Sequence, residues 1–340
     1  MNEEAFLRLS AQDRREVIKF AADRSGRPAH LLEKDVWVVW ALSALYRSPL
    51  GEHLVFKGGT SLSKAYNVIR RFSEDVDLTY DIRELAPDLV GTGNEPLPKT
   101  KSEEKKWTKA VRQRLKVWVA ETAQPILASA LATEGLAATT RAEDDKLFVD
   151  YEATVTGSGY VAPSVMLEFG ARSTGEPASR RDITCDASGL VEGVVFPTAQ
   201  PRVMHAERTF WEKATSMHVF CLKHRLRDRF SRHWHDVARL DEAGFVDAAL
   251  KDRDLADQVA RHKSMFFAEK AADGSWVDYA AAVSGSLCLV PSDDKALEAL
   301  EVDYASMVED GLLLDDVEPF DAIMARNADI ALRANQIKAG

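Results

Sequence analysis

The sequence has few cysteines and lacks a net positive charge, and each of these features argues against a class of protein. Its three cysteines, Cys185, Cys221 and Cys288, lie far apart and form no CxxC pair, which argues against a disulfide framework and a zinc site. The net charge of −10 at pH 7 disfavours a general nucleic-acid binder, because its long-range field repels phosphate. So few cysteines indicate a reducing compartment.

Long apolar runs are also missing. The longest run, residues 36–46, is too short to cross a bilayer. The first residues, MNEEAF, are acidic and lack the basic start and apolar core of a signal peptide. We therefore expect a cytoplasmic protein without membrane association. With 340 residues, 46% hydrophobic and 29% charged, the chain is long enough to bury a sizeable core and form two lobes.

The pattern of apolar residues and breakers predicts helices at both ends of the chain, with strands between them. Ser10 and Asp13 mark the start of one helix, and Pro28 opens a second that we expect to pack on a sheet. A further helix is predicted over about 103–131, strands over 147–156, 164–170 and 181–185, and mainly helices from about 202. The fold class is therefore α/β (α+β), with domains over 1–200 and 201–340.

The most informative segment is a predicted strand, turn, helix and strand over residues 54–78. The turn Gly58-Gly59-Thr60-Ser61 follows a short apolar strand and leads into a helix that carries Leu62, Ala65, Tyr66 and Ile69 at helical spacing. Glycines let backbone N–H groups approach a ligand, and the start of a helix favours an anion. We expect a triphosphate here, with a hydroxyl from Thr60 or Ser61 and positive charge from Lys64.

Two carboxylates follow on the returning strand. Asp75 and Asp77 alternate with Val76 and Leu78, so the two acids share one strand face. Carboxylate oxygens suit Mg²⁺, and two such ions can activate an attacking hydroxyl and neutralise a leaving pyrophosphate. The alternative is that these acids only form the solvated side of a half-buried strand. The order of turn, helix and paired acids favours a nucleotidyl-transfer site.

These segments resemble a known family. Residues 33–37, 56–64 and 71–78 are similar to the AbiEii/AbiGii toxin family of nucleotidyltransferases, part of the DNA polymerase β-like superfamily that includes the MenT toxins. The resemblance is specific over about 30–82 and looser near 168, 207–213 and 229–240. It implies a polymerase β-like nucleotidyltransferase core with a small mixed sheet, preceded by N-terminal helices and followed by a largely helical C-terminal lobe. It also implies an NTP substrate and Mg²⁺, with Mn²⁺ as the alternative.

The resemblance nominates two further residues near the metal. Glu168 is the lone acid of an otherwise apolar strand, and a buried carboxylate needs a partner or a metal. Superfamily members take their third metal carboxylate from such a strand; the alternative is a pair with Arg172. Ser73 lies two residues before Asp75 and is placed with the NTP-binding residues, unless it only ends the preceding loop.

Two residues of the C-terminal lobe complete the implied site. Lys213 falls on the apolar face of a predicted helix, and it matches a lysine that family members need for activity. The alternatives are a snorkelling lysine or an ion pair. Asp236 matches a later family aspartate that orients Lys213 or the substrate, or else pairs with Arg232. A transition-metal site at His233, His235 and Asp236 is disfavoured, because His residues two apart face apart on a helix.

By resemblance, the chain is the toxin of a toxin–antitoxin or abortive-infection (phage defence) system with a cognate antitoxin encoded nearby. It would transfer NMP to the 3′ acceptor end of tRNA and so block aminoacylation and translation. Basic runs at 99–116 and 225–233 are candidate RNA contacts, or else solvated helix faces. The alternatives are NMP transfer to a protein hydroxyl and a catalytically silent nucleotide-binding regulator, which the intact Asp75 and Asp77 disfavour. Without a helix-turn-helix motif, direct DNA binding is not expected.

Overall fold

The computed structural model describes residues 3–71, 75–91, 93, 96–156, 162–223, 229–309, 311, 313–314 and 317–336. Contacts between residues divide the chain into two compact units, each assembled from three segments. Unit 1 comprises Met1–Ala65, Ser73–Pro96 and Trp107–Met204, and unit 2 comprises Tyr66–Phe72, Leu97–Lys106 and His205–Gly340. The sequence division at residue 200, with a lobe that contributes Lys213 and Asp236 to the site, stays a prediction.

A mixed sheet of seven strands forms the centre of unit 1, in the order β4-β5-β6-β3-β2-β11-β7. The pairs β3/β6 and β2/β11 are parallel and the others antiparallel. Two small pairs, β1/β9 and β8/β10, complete the described strands. The strands are β1 Glu4–Ala5, β2 Leu54–Lys57, β3 Asp75–Tyr80, β4 Ala138–Glu143, β5 Lys146–Tyr151, β6 Ser164–Gly170, β7 Ala178–Arg180, β8 Ile183–Thr184, β9 Val194–Val195, β10 Thr198–Ala199 and β11 Arg202–Met204.

Helices precede and follow the first strands, as the sequence predicts. They are α1 Ala11–Ser25, α2 Ala29–Arg47, α3 Gly58–Lys64, α4 Ile82–Leu85, α5 Pro87–Val90, α6 Lys101–Trp118 and α7 Gln124–Glu134. The predicted start of α1 is confirmed, because the Ser10 hydroxyl oxygen accepts the Asp13 N–H at 3.1 Å. Helix α2 is buried from Leu32 to Tyr46, and Trp37 stacks on Tyr151 of β5 with ring centroids 5.2 Å apart. The expected packing of this helix on the sheet is confirmed.

The structure differs from the local predictions at the helix after the glycine turn and in six strands. That helix ends at Lys64 and does not include Tyr66 and Ile69, because Asn67 takes a left-handed φ of 54°. The helix predicted over 103–131 is confirmed, with a π-helical segment, Val119–Ala123, between α6 and α7, just before Pro125, which lacks an N–H to donate. The strands that were not predicted are β1, β4, β7, β9, β10 and β11.

Helices make up most of unit 2 where the structure describes it: α8 Ala206–Lys223, α9 Arg232–Glu242, α10 Phe245–Lys251, α11 Arg253–Phe266, α12 Tyr279–Ser284, α13 Asp294–Glu309 and α14 Phe320–Gln336. Trp211 of α8 and Trp234 of α9 are buried at its centre, and each indole donates to a backbone carbonyl, of Ala249 and Leu289. Nowhere in the described part of the chain is a helix both long and apolar enough to cross a membrane.

Candidate active site

All three predicted metal carboxylates lie on one face of the sheet. Strands β3 and β6 run parallel in a register that pairs Asp77 with Glu168 and Asp75 with Met166. Residues paired in register present their side chains to the same face, so Asp75, Asp77 and Glu168 form what we call the carboxylate row. Both aspartates are half-buried, while the alternating Val76 is buried on the opposite face. The strand alternation predicted from the sequence is confirmed.

Lysines flank the carboxylate row. Lys57 of β2 pairs in register with Asp77, and Lys146 of β5 pairs with Glu168. The Lys146 Nζ lies 3.4 Å from Glu168 Oε2, and the Glu168 side chain is 44% exposed. The expectation that Glu168 is buried is therefore wrong, and Lys146 of the neighbouring strand β5 is its ion partner. Neither lysine was predicted, since register between distant strands is not visible in the sequence.

The donor chemistry of the carboxylate row fits a hard divalent cation, which takes oxygen ligands and keeps water and phosphate in its other positions. Among the residues that the structure describes, no three His, Cys, Asp or Glu side chains converge closely enough to hold a metal ion. The assignment of Mg²⁺ to Asp75, Asp77 and Glu168 therefore stays a prediction. Ser73, predicted beside them, lies outside the described residues.

The glycine turn packs directly against the carboxylate row. Gly58 has a φ of 77°, and a Cβ placed on it would lie 2.9 Å from the Asp77 Cγ. Only glycine fits this backbone and this close approach. The Thr60 hydroxyl donates to the Asp75 carbonyl, and the Ser61 hydroxyl donates to the Gly58 carbonyl at 2.9 Å. Both hydroxyl protons are thus used to hold the turn in place. Gly59 is buried at the start of α3, where the first backbone N–H groups of the helix have no partner within the helix and can bind an anion.

Lys64, predicted to contact the triphosphate, has two carboxylate partners in the structure. Its Nζ lies 2.6 Å from Asp35 Oδ1 and 2.7 Å from Asp186 Oδ1, and Arg27 also pairs with Asp186. Burial lowers the pKa of Lys64, but the two carboxylates outweigh this effect and raise it to about 12. Lys64 therefore anchors the end of α3 to α2 as a permanent cation, and its contact with an NTP stays a prediction.

The sequence prediction gave no role to the acids of α2. Asp35 also accepts the Asp186 N–H at 2.6 Å, and Glu33 accepts the Thr154 N–H at 2.9 Å and the Thr154 hydroxyl at 2.7 Å. Both acids are buried. The sequence did indicate such partners, because the charged residues 33–35 interrupt an otherwise apolar helix and buried charges need partners.

A buried ion cluster in unit 2 contains the other two predicted catalytic residues. Arg71 donates to both carboxylate oxygens of Asp236, at 2.7 and 2.8 Å, and the Lys213 Nζ lies 2.9 Å from Asp236 Oδ2. The expected contact between Asp236 and Lys213 is confirmed, and Arg71 takes the place proposed for Arg232. The Lys213 Nζ also lies 3.4 Å from His233 Nδ1. Arg71 was missed because its partner lies 165 residues away.

Burial and charge set the protonation of this cluster. Burial raises the pKa of Asp236, but Arg71 and then Lys213 outweigh it and hold the pKa well below its usual range. Burial lowers the pKa of Lys213, and Asp236 opposes that shift. Burial and the nearby Lys213 hold the pKa of His233 well below its ordinary value. Asp236 is thus ionised and His233 neutral at neutral pH, so the His233 Nδ1 can accept a hydrogen bond that the Lys213 amine donates.

Helix α6 presents one basic face to solvent. Trp107, Val111 and Leu115 are buried, whereas Lys109, Arg112 and Lys116 are exposed. These three cations, which we call the α6 basic face, recur at intervals of three and four residues and so lie together. Lys116 pairs with Asp144 at 2.8 Å, at a site where both side chains are well exposed. Within the second basic run, Arg225 and Arg227 lie outside the described residues.

The sequence matches a known protein family over most of its length. The sequence model of a nucleotidyl transferase family matches residues 40–326, which is most of the chain. The family is described as the nucleotidyl transferase AbiEii toxin of type IV toxin–antitoxin systems, and the chain belongs to it. The chain is therefore a toxin nucleotidyltransferase, and its family implies an NTP substrate and a cognate antitoxin. The predicted α/β fold class is confirmed by the helices and the mixed sheet of seven strands, and the polymerase β-like core stays a prediction.

Solved structures resemble the chain at low sequence identity. MenT4, a nucleotidyltransferase toxin from Mycobacterium tuberculosis, is 16% identical, with 97% of this chain and 91% of that chain covered and a TM-score of 0.46. JHP933 from Helicobacter pylori is 14% identical, with 91% and 93% covered and a TM-score of 0.40. A comparison with curated proteins gives no match.

Proposed function

We propose that the protein transfers NMP from an NTP to the 3′ end of tRNA, with Mg²⁺ held by Asp75, Asp77 and Glu168. The observation that supports this most is the parallel register of Asp77 and Glu168, which puts two carboxylates side by side with Asp75 on the same face. A metal bound there supplies Lewis acidity to the triphosphate and to the attacking hydroxyl. The close fit of Gly58 against Asp77 supports the same assignment, because it brings the phosphate-binding turn to these acids.

The reaction assigns distinct tasks to the residues. The backbone N–H groups from Gly58 to Ser61 bind triphosphate oxygens, and Thr60 and Ser61 hold that turn rigid through their carbonyl contacts. The RNA 3′-oxygen bonds to the α-phosphorus, pyrophosphate leaves, and the hydroxyl proton passes to the carboxylate row. Lys213 stabilises phosphate charge, and Asp236 with Arg71 fixes its position.

The α6 basic face supports RNA as the acceptor. In a chain of net charge −10, RNA contact requires a local patch of exposed cations. No carboxylate among the described residues pairs with Lys109 or Arg112, so their charge is available to phosphates. A protein hydroxyl as acceptor would not need such a surface.

The test is a transfer assay with each labelled NTP, Mg²⁺ and total tRNA, followed by separation of RNA from protein. We expect label on tRNA with the wild type. Asp77→Asn and Glu168→Gln should each reduce the transfer rate by about 100-fold or more, because residues that only support metal ligands already cost up to about 100-fold when mutated and these two are proposed as direct ligands. Glu4→Gln, which changes an exposed strand glutamate of β1 outside the seven-stranded sheet, is the matched control and keeps full activity.

Each other outcome removes part of the proposal. Label on protein instead of RNA would refute the acceptor. Label on tRNA that survives in both Asp77→Asn and Glu168→Gln would refute the carboxylate row as the catalytic centre. No label on any molecule, with every NTP supplied, would refute the transfer reaction.

A further inference from the structure

Unit 2 contains a cavity of about 550 Å³ that the proposed reaction does not use. It lies between α8, α11 and the chain that follows α11, and we call it the ring pocket. Its lining includes the rings of Phe230 and Phe267, both of which keep exposed surface, and the amines of Lys223 and Lys263. Its size falls within the range of small-molecule sites, about 300–1,000 Å³.

The chemistry of the lining combines flat apolar faces with cations. The Lys263 Nζ lies 5.0 Å from the Phe267 ring centroid and 3.5 Å from the Ser216 hydroxyl. The Lys223 Nζ pairs with Glu269 at 2.6 Å. Phenylalanine faces bind any planar base by stacking, and ammonium groups beside a hydroxyl bind phosphate. A ligand with both an aromatic base and a phosphate matches this lining better than a purely apolar one.

The ring pocket shares a wall with the buried ion cluster. The Phe230 ring, which lines the pocket, lies 4.6 Å from the His233 ring, edge to face. His233 in turn contacts Lys213, which pairs with Asp236. The rings of Phe230 and His233 therefore connect the pocket to Lys213, which the proposed function places in catalysis.

We propose that the ring pocket binds one nucleotide, with its base against Phe267 and its phosphate beside Lys263. The bound nucleotide is either a free NTP or the 3′-terminal nucleotide of the RNA acceptor, since both present a base and a phosphate. The RNA alternative rests on the proposed function, whereas the proposal that the pocket binds a nucleotide does not depend on it.

The experiment measures equilibrium binding to the full chain by calorimetry. The ligands are each NTP, intact tRNA, and tRNA without its 3′-terminal nucleotide. We compare Phe267→Leu and Lys263→Gln with the wild type, and Phe267 is 37% exposed, so its replacement leaves the core intact. The matched controls are Trp276→Leu and Lys270→Gln, a second exposed pair with Nζ 5.2 Å from the ring centroid, outside the pocket lining.

We expect Phe267→Leu to weaken binding about tenfold, the typical effect of losing one stacked base, while the controls bind like the wild type. Weaker NTP binding identifies the free nucleotide as the ligand. Weaker binding of intact tRNA, but not of shortened tRNA, identifies the RNA end. Unchanged binding of all three ligands in both pocket variants overturns the proposal. Transfer activity of the wild type reports the proposed function separately, because label on tRNA with unchanged binding in the variants refutes only the pocket.

Discussion

Replacing Asp236 by asparagine tests the buried ion cluster, because the side chain keeps its shape and loses its charge. Arg71 and Lys213 expose only 4% and 9% of their side chains, and both lose their ion pair with Asp236. Breaking a buried ion pair by removing one partner costs about 3–5 kcal/mol. We expect Asp236→Asn to lower the free energy of unfolding by that amount.

The measurement is urea unfolding at pH 7, followed by far-UV circular dichroism and tryptophan fluorescence. Asp88→Asn is the matched control, since Asp88 also accepts two hydrogen bonds from one arginine, Arg114, but its side chain is 60% exposed. Exposed ion pairs contribute roughly 0–1 kcal/mol, so Asp88→Asn should cost no more than that.

A second variant separates charge from packing. In the Asp236→Asn background, Lys213→Met removes a buried cation that has lost the Asp236 charge, so the double variant should regain part of the lost stability. The reasoning is refuted if Asp236→Asn costs no more than Asp88→Asn, or if the two changes in the cluster are simply additive.

Three further predictions follow from the same structure. Folding lowers the pKa of Asp236, so its carboxylate stabilises the folded state fully above about pH 4, the pKa of aspartate in an unfolded chain, and progressively less below that pH. The difference in the free energy of unfolding between the wild type and Asp236→Asn should therefore narrow in urea titrations at pH 3. A difference that stays constant would contradict this prediction. Gly58→Ala and Gly26→Ala both place alanine in a left-handed backbone conformation, and each should lower the free energy of unfolding by about 1–2 kcal/mol. Only Gly58→Ala also displaces Asp77, so only that variant should lose transfer activity. Equal transfer activity in the two variants would contradict a role of the glycine turn in the active site. Lys109→Gln with Arg112→Gln should reduce the slope of log K against log salt for tRNA binding by about 1.4–1.8, while Lys19→Gln with Lys251→Gln, two exposed lysines elsewhere, leaves it unchanged.

Local periodicity carried most of the correct predictions. The strand β2, the glycine turn, α3 and the alternation of Asp75 and Asp77 all depend on neighbours within a few residues, and each was readable from spacing. Strand β6 was predicted with its observed bounds for the same reason. By contrast, β4 has the sequence ATTRAE and alternating half-buried positions, so its apolar signal is too weak to mark a strand.

Most contacts between distant residues could not be predicted from local spacing, and the one between Lys213 and Asp236 came from the family resemblance. The register that pairs Asp77 with Glu168 depends on how β3 and β6 align, and nothing local to either strand fixes that alignment. Lys64 was assigned to phosphate because its spacing from the turn is suitable. Its actual partners, Asp35 and Asp186, come from segments before and after it in the chain. Buried acids in an apolar helix were the one usable sign of such a partner.

The interleaving of the two units has a consequence during synthesis. Arg71 leaves the ribosome 165 residues before Asp236, and its segment, Tyr66–Phe72, belongs to a unit whose largest part is made last. Until Asp236 emerges, the Arg71 guanidinium lacks this ion pair, which holds it in the buried cluster. Every nascent or prematurely terminated chain that stops before residue 236 therefore lacks the ion cluster. No cut at a single point of the chain yields either unit alone, so the toxin has to be expressed and assayed as a whole.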